Sequence, residues 1–211
     1  MSSVLTPPTP KGKETRQRLL ECAREQAIAT GGRLEIAAVA GAAGVVPSVI
    51  YRYFDSKAGL VSALIEQFFG RLRAEVLDVD LGQDGDWAAH ERLRLVRGIR
   101  FHYADPLAPV LYGALAREPE AARTHERCIA AVIEQAAASV RRGQERGELP
   151  ADVDPELAGA AMFGAMQRLM VSALSRTPPP PEQEIAELLW RQVAASVCIG
   201  AETRGQRRRR R

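Results

Sequence analysis

Lysine is scarce in this sequence. Only Lys11, Lys13 and Lys57 stand against 26 arginines, which hints at a GC-rich genome and says little about function. Cysteine is as rare: Cys22, Cys128 and Cys198 are odd in number, far apart and paired with no histidine at ligand spacing. A disulfide framework and a zinc site are therefore not expected. The three histidines, His90, His102 and His125, show no metal spacing, and each is expected at a surface or capped position. No run of about 18 uninterrupted apolar residues exists, which excludes a transmembrane helix; the nearest approach, 157–174, is broken by Gln167 and Arg168. The first 16 residues, MSSVLTPPTPKGKETR, lack the apolar core of a signal peptide, so a cytoplasmic chain is expected. There is no Gly-rich loop after a strand, no nucleophile at a strand-to-helix elbow and no outstanding carboxylate pair. Neither catalysis nor a cofactor is expected.

What is present is an ordinary globular composition, 46% apolar and 26% charged over 211 residues, enough for one large domain or two small ones. The net charge of +3 is unevenly spread. Residues 1–57 hold 8 basic and 5 acidic side chains, residues 58–203 hold 15 and 21, and residues 204–211 add six arginines. A basic head on an acidic body points to a polyanionic partner for the head alone. The arginine run at 207–211 reads as a solvated end, with non-specific attraction to DNA as the alternative.

Hydrophobic periodicity is helical throughout, so an all-α fold of about nine helices is expected. Residues 1–12, rich in proline, form a loose arm. The first helix begins at Thr15 and stops at Gly31 and Gly32, and a second carries Ile36, Val39, Ala40 and Ala43. The third spans 47–54, and the fourth runs from Lys57 to about Leu77 after an Asp55 or Ser56 cap. Trp87 opens the fifth, which Pro106 ends near Tyr103; Pro106 then opens a sixth reaching about Arg117. A long seventh covers 118–146. The eighth, 156–175, is apolar on nearly every side, and a ninth follows the four prolines at 178–181. Four segments result: an arm (1–12), a head (13–57), a body (58–203) and a basic tail (204–211).

The stretch 35–57, EIAAVAGAAGVVPSVIYRYFDSK, is the most informative. Two short helices joined through Ala-Gly-Val have the pattern of a helix-turn-helix. Ala40 and Ala43 are small enough for a close crossing, Gly44 supplies a left-handed turn residue, and Val39, Val45 and Ile50 fill the small core. Leu20, Ala23, Val39-Ala40, Ala43-Gly44-Val45, Pro47-Ser48, Ile50-Tyr51-Arg52-Tyr53-Phe54, Ser56-Lys57 and Leu60 agree in order and spacing across residues 14–64 with a known pattern. The segment resembles the DNA-binding domain of the tetracycline-repressor (TetR) family of bacterial regulators. The resemblance implies a homodimer on a two-fold double-stranded DNA operator, released by a small molecule held in the C-terminal helices.

It also implies that the third helix lies in the major groove, with Pro47 and Ser48 at its tip near base edges and a phosphate. Arg52, the only charged side chain of that helix, suits a bidentate grip on guanine. Tyr51 and Tyr53 offer hydroxyls to phosphates, or pack, and Lys57 adds a charge at the next helix start. The sequence departs from the family at Val46, where a Ser usually caps the helix, at Leu34 and Glu35, which replace a Thr/Ser pair, and at Ala37, where some members carry Arg. Operator contact is thereby shifted toward Arg52, Val49 and the tyrosines.

The body carries eight of the eleven aromatics together with Met162, Met166 and Met170. Phe101, Tyr112, Phe163, Met166 and Met170 are candidates to line an effector cavity, with His102 as a polar anchor; an apolar or aromatic effector fits such a lining. Ordinary core is the alternative for each. The small residues Gly159, Ala160, Ala161, Gly164 and Ala165, with the apolar stripe Ile185, Leu188, Leu189, Val193 and Val197, suggest a helix pair that meets its twin in a four-helix bundle. The expectation is a ligand-responsive homodimeric transcriptional regulator, a repressor, with no membrane partner. The alternatives are a small-molecule binding protein with a weakened DNA head, or an activator of the same fold.

Overall fold

A computed structural model describes residues 9–82, 85–113, 115 and 119–199. The expectations for residues 1–8 of the arm and for the 204–211 tail lie outside these. Among the described residues there are nine α-helices and no strand: α1 (Pro10–Thr30), α2 (Ile36–Ala42), α3 (Pro47–Phe54), α4 (Lys57–Leu72), α5 (Trp87–Ala104), α6 (Ala108–Gly113), α7 (Pro119–Glu145), α8 (Pro155–Leu174) and α9 (Glu182–Ser196). A short π-helical turn, Arg73–Leu77, follows α4.

Most boundaries follow from local chemistry, and two differ from the sequence expectation. α1 starts five residues before Thr15, so residues 10–12 are helical and not part of an arm. The Thr9 hydroxyl accepts the Gly12 N–H at 3.2 Å and Pro10 occupies the first turn, where its missing N–H costs nothing. α1 ends where expected, at Gly31 in the left-handed region (φ 66°), with the Gly32 N–H reaching back to the Ala27 carbonyl at 2.7 Å. α6 begins at Ala108, two residues after the expected Pro106, and its expected end near Arg117 falls outside the described residues. The Asp105 carboxylate accepts the Leu107 N–H at 2.9 Å and its carbonyl accepts the Ala108 N–H at 3.0 Å, so Pro106 sits in a turn ahead of the helix.

The chain divides into two compact units. The first comprises the described residues of Met1–Leu72 and Asp105–Ile129, hence α1–α4, α6 and the start of α7. Its core includes Leu19, Leu20, Val39, Ile50, Leu60, Leu64 and Ile65. The second comprises the described residues of Arg73–Ala104 and Ala130–Arg211. Its core joins Leu95 and Ile99 of α5, Val140 of α7, Met162 and Met170 of α8, and Ile185, Leu189, Val193 and Val197 on and just beyond α9. Trp87 Nε1 donates to the carbonyl and hydroxyl oxygens of Ser139, both at 3.1 Å. Beside them Glu91 is buried against Arg94 Nη1 at 2.6 Å, and burial raises its carboxyl pKa while Arg94 opposes the shift.

This core corrects one expectation. The stripe Ile185, Leu189, Val193 and Val197 is buried by its own chain, because α9 packs against α5 and α8. Leu189 is 0% exposed and cannot be a subunit contact. The outer apolar face belongs instead to α8, where Leu157 is 71% exposed and Ala160, Ala161 and Gly164 lie open, joined by the partly exposed Leu188 of α9. By length and composition α8 would suffice to cross a membrane, but its inner face, Ala158, Gly159, Met162, Phe163, Met170 and Ala173, is core of the second unit.

Two glycines on α8 therefore have opposite environments. A Cβ on Gly159 would lie 2.8 Å from the Ala137 nitrogen and 2.9 Å from the Ile133 oxygen, both backbone atoms that cannot yield, whereas one on Gly164 would meet nothing within 4 Å. Gly159→Ala is expected to lower unfolding free energy by about 1–3 kcal/mol in a urea titration. Gly164→Ala should leave the fold as stable, or raise its stability by up to about 1 kcal/mol through helix propensity. Equal losses at both positions would contradict the assignment of faces.

Candidate nucleic-acid interface and effector site

The α2–α3 pair is built by the residues that the sequence singles out. α2 ends with Gly44 in the left-handed region (φ 68°), the Val45 N–H reaching the Ala40 carbonyl at 2.9 Å and the Gly44 N–H reaching Gly41 at 3.1 Å. This paired closure satisfies the last carbonyls of α2 and aims the chain into α3. The two helices turn through 103°, within the range for a helix-turn-helix. Val39, Ala40, Ala43 and Ile50 are buried at the crossing. Leu34, anomalous as a contact residue, is 2% exposed and serves the core. The Gln26 side-chain oxygen of α1 accepts the Glu35 N–H at 3.1 Å, tying the start of α2 to α1, and the Glu35 side chain itself makes no cap.

α3 divides its residues between two faces. Ile50, Tyr53 and Phe54 are buried; Pro47, Ser48, Tyr51 and Arg52 are exposed, and Val49 is half-buried. Tyr53 is therefore a packing residue as well as a contact candidate: the Arg52 guanidinium carbon stands 5.2 Å from its ring centroid. Phe54 is fastened to α1 in the same way, under Arg16 at 5.1 Å. Val46 gives α3 no side-chain cap. Pro47 has no N–H and the Val49 N–H returns to the Val46 carbonyl at 3.0 Å, so Ser48 presents both amide and hydroxyl at the tip.

The α3–α4 corner is tight. Asp55 takes a positive φ of 61°, the Ser56 N–H meets the Phe54 carbonyl at 2.6 Å, and the Ser56 hydroxyl caps α4 by accepting the Gly59 N–H at 2.9 Å. Lys57 lies exposed at the first position of α4. One carboxylate then fixes α1 and α4 to the turn before α6. Asp105, 2% exposed, receives Arg24 Nη2 at 2.6 Å and Arg71 Nη1 at 2.9 Å.

The six effector candidates are divided between the two units. Tyr112 belongs to the first unit; Phe101, His102, Phe163, Met166 and Met170 belong to the second. Met170 is fully buried in the core, and Met166 packs against it close to Gly98, whose Cβ position would lie 2.9 Å from Met166 Cε. His102 is capped as expected, Nδ1 standing 2.6 Å from the Gly98 carbonyl oxygen. A groove of about 180 Å³ in the second unit is lined by other residues, among them Arg92, Val96, Ala186, Glu187 and Trp190, with the Arg92 guanidinium carbon 4.0 Å from the Trp190 ring centroid.

Tyr112 joins an aromatic cluster with Phe68, Phe69 and His125. Ring centroids lie 6.0 Å apart for Phe68–Tyr112, 5.7 Å for Phe69–His125 and 6.1 Å for Tyr112–His125. Burial pushes the Tyr112 hydroxyl pKa up and the His125 pKa down, Glu126 opposing the latter. His125 thus departs from the expected surface or capped position. Its Nε2 is buried and has no hydrogen-bond partner.

Comparison with known families matches residues 19–64 to the model described as "Bacterial regulatory proteins, tetR family" and residues 90–193 to "Tetracyclin repressor-like, C-terminal domain". The chain belongs to the TetR family. It is accordingly a DNA-binding transcriptional regulator with a C-terminal ligand-binding domain. Solved structures of TetR fold agree along nearly the whole length. Salmonella enterica GusR has 21% identity and a TM-score of 0.74, over 93% of this chain and 100% of that one. The transcriptional regulator FadR of Bacillus subtilis, solved with stearoyl-CoA, has 17% identity and a TM-score of 0.71, over 86% and 98%. NalD, the secondary repressor of the MexAB-OprM efflux pump in Pseudomonas aeruginosa, has 19% identity and a TM-score of 0.68, over 88% and 96%. A comparison with curated protein sequences finds no match.

Sequence reasoning missed the parts of this TetR-family chain that depend on distant partners. Asp105 carries the local signal of an Asp-Pro turn, but nothing in its neighbourhood announces Arg24 or Arg71. Gly59 was also passed over, although a Cβ there would lie 1.9 Å from the Phe54 carbonyl oxygen, an overlap that no rotamer change relieves. Gly59→Ala is expected to force the α3–α4 corner open. DNA affinity should fall at least tenfold in fluorescence anisotropy while circular dichroism keeps most of the helix signal, because recognition-helix placement tolerates little error. Unchanged affinity would show that the corner does not set the placement of α3.

Proposed function

We propose that this TetR-family protein is a homodimeric repressor, released from a two-fold operator by an apolar or aromatic small molecule. Residues 13–57 serve as the DNA-binding segment and 58–203 as the effector and dimerisation segment. The observation that carries the reading is the exposed face of α3, Ser48, Tyr51 and Arg52, held by a helix-turn-helix with a 103° turn. Ser48, with Pro47 beside it, meets a phosphate through its free amide and hydroxyl. Arg52, oriented by the Tyr53 ring, grips guanine, and Val49 offers apolar contact to a thymine methyl. Tyr51 and Lys57 bind phosphates on either side of the groove. Two such helices must stand one helical turn apart, ~34 Å, to occupy successive major grooves. An effector acts by favouring a state that departs from this spacing. The role is one of binding, exercised in the cytoplasm, and not of catalysis.

The dimer is supported by the outer face of α8. Leu157, Ala160, Ala161 and Gly164 form an open apolar strip of small side chains, suited to close approach of a second helix.

Binding to the DNA upstream of the chain's own gene tests the regulator reading. Salt-sensitive, sequence-selective binding is expected, and its absence would favour a small-molecule binding protein with a weakened head. Arg52→Ala should cost ~1–3 kcal/mol of discrimination between operator and unrelated duplex, whereas Lys57→Ala should weaken both alike and reduce the salt slope by about one. Equal losses on both duplexes for Arg52→Ala would make it a phosphate contact.

The dimer has a separate test. Ala161→Arg leaves the core untouched and is expected to sediment as a folded monomer whose operator affinity falls by about two orders of magnitude, the second half-site no longer being held nearby. A dimeric Ala161→Arg protein would move the interface off α8.

A further inference from the structure

The aromatic cluster of the first unit contains a polar atom that nothing in the fold uses. His125 Nε2 is buried, and among the described residues no donor or acceptor reaches it. A buried polar atom left unpaired is costly, and native folds seldom keep one without a use. The residue before it in sequence is already paired: the Thr124 hydroxyl donates to the Ser62 hydroxyl at 3.2 Å.

We infer that His125 Nε2 is the polar anchor of the effector site, and that the effector is a neutral hydroxyl-bearing aromatic molecule held beside Phe69 and Tyr112. This rests on the regulator reading above and gives its effector a chemical class and a place. Three observations select the class. The rings around His125 meet it at 58° and 61°, an arrangement of edges and faces that an additional aromatic ring can extend. The arginines flanking His125 on α7, Arg123 and Arg127, are exposed, and Arg127 is engaged with Glu66 at 3.0 Å, so an anionic ligand would bring its charge to a neutral ring. A hydroxyl can both donate and accept, so it pairs with Nε2 in either tautomer of the uncharged imidazole.

The reading differs from the sequence expectation, which placed the polar anchor at His102. That imidazole already meets the Gly98 carbonyl, while His125 has an unused nitrogen.

The test uses the full chain labelled with ¹⁵N-histidine, titrated with 4-ethylphenol and separately with its methyl ether, 4-ethylanisole. The ether keeps the ring and the oxygen but exchanges the O–H for a methyl group. Three histidines give a simple spectrum, and the His125 resonances are assigned by their loss in His125→Phe. The phenol is expected to shift the His125 nitrogen and to bind roughly tenfold more tightly than the ether, the worth of one hydrogen bond to a buried group. In His125→Phe the two probes should bind alike; should that variant fail to fold, His125→Gln, which keeps a hydrogen-bonding side chain, should retain part of the preference. Equal affinities for phenol and ether in the native chain would overturn the proposal. So would a phenol response confined to His90 or His102, or no binding of either probe up to its solubility limit. No DNA enters this measurement, so a chain that fails to bind an operator yet shows the His125 response would sink the regulator reading alone.

Discussion

A buried carboxylate has to be paired, and the pairing of Asp105 organises the first unit. Its two oxygens take guanidinium groups from Arg24 and Arg71, 81 and 34 residues away in sequence, while one of them also caps the turn before α6. Removing either cation would leave a charge in a site that is 2% exposed, a far larger penalty than the pair's net contribution to stability. The consequence is geometric. α1, the end of α4 and the approach to α6 meet at one point, so the helix-turn-helix, slung between α1 and α4, inherits its orientation from that point. The nearby π-helical turn, Arg73–Leu77, begins where α4 leaves the first unit.

The second unit rests on a different device, the distribution of small side chains around α8. Gly159 lets α8 come against the backbone of α7, close enough that even a methyl group would overlap. On the opposite side, Ala160, Ala161 and Gly164 leave a shallow strip facing outward. Leu157 and Leu188 are the two large aliphatic side chains that α8 and α9 leave exposed. One helix thus has an inner face closed by contact and an outer face left open, which explains why its sequence is apolar nearly all the way round.

The helix-turn-helix was legible in the sequence because everything that defines it is local. Gly44 must take positive φ, Ala40 and Ala43 must be small, and Val39 and Ile50 must fill the crossing, all within a dozen residues. Helix boundaries with a chemical marker, such as the Ser56 cap of α4, were legible for the same reason. The start of α1 was not, because its first residues carry no apolar periodicity; the Thr9-Pro10 signal was present but weaker than the proline-rich composition around it. Periodicity on α9 announced a buried stripe without saying what buries it, since a helix face packed on its own chain and one packed on a copy have the same spacing. His125 illustrates the limit most clearly. Whether an imidazole is solvated, capped or stranded depends on Phe69 and Tyr112, far off in sequence, and no local pattern encodes that.

The bare start of α3 has a consequence for how the head behaves away from its target. With valine in the capping position, the Ser48 amide finds an acceptor only in solvent or on a DNA phosphate. Phosphates repeat identically along any duplex, so the order they lend to α3 is indifferent to sequence. If Ser48 makes the phosphate contact proposed above, its amide gains an acceptor on any stretch of DNA, before a single base has been read. On the proposed contacts, scanning and reading are separated in this head: the first uses a backbone hydrogen bond that every site supplies, and the second falls to Arg52 and its neighbours one turn further along.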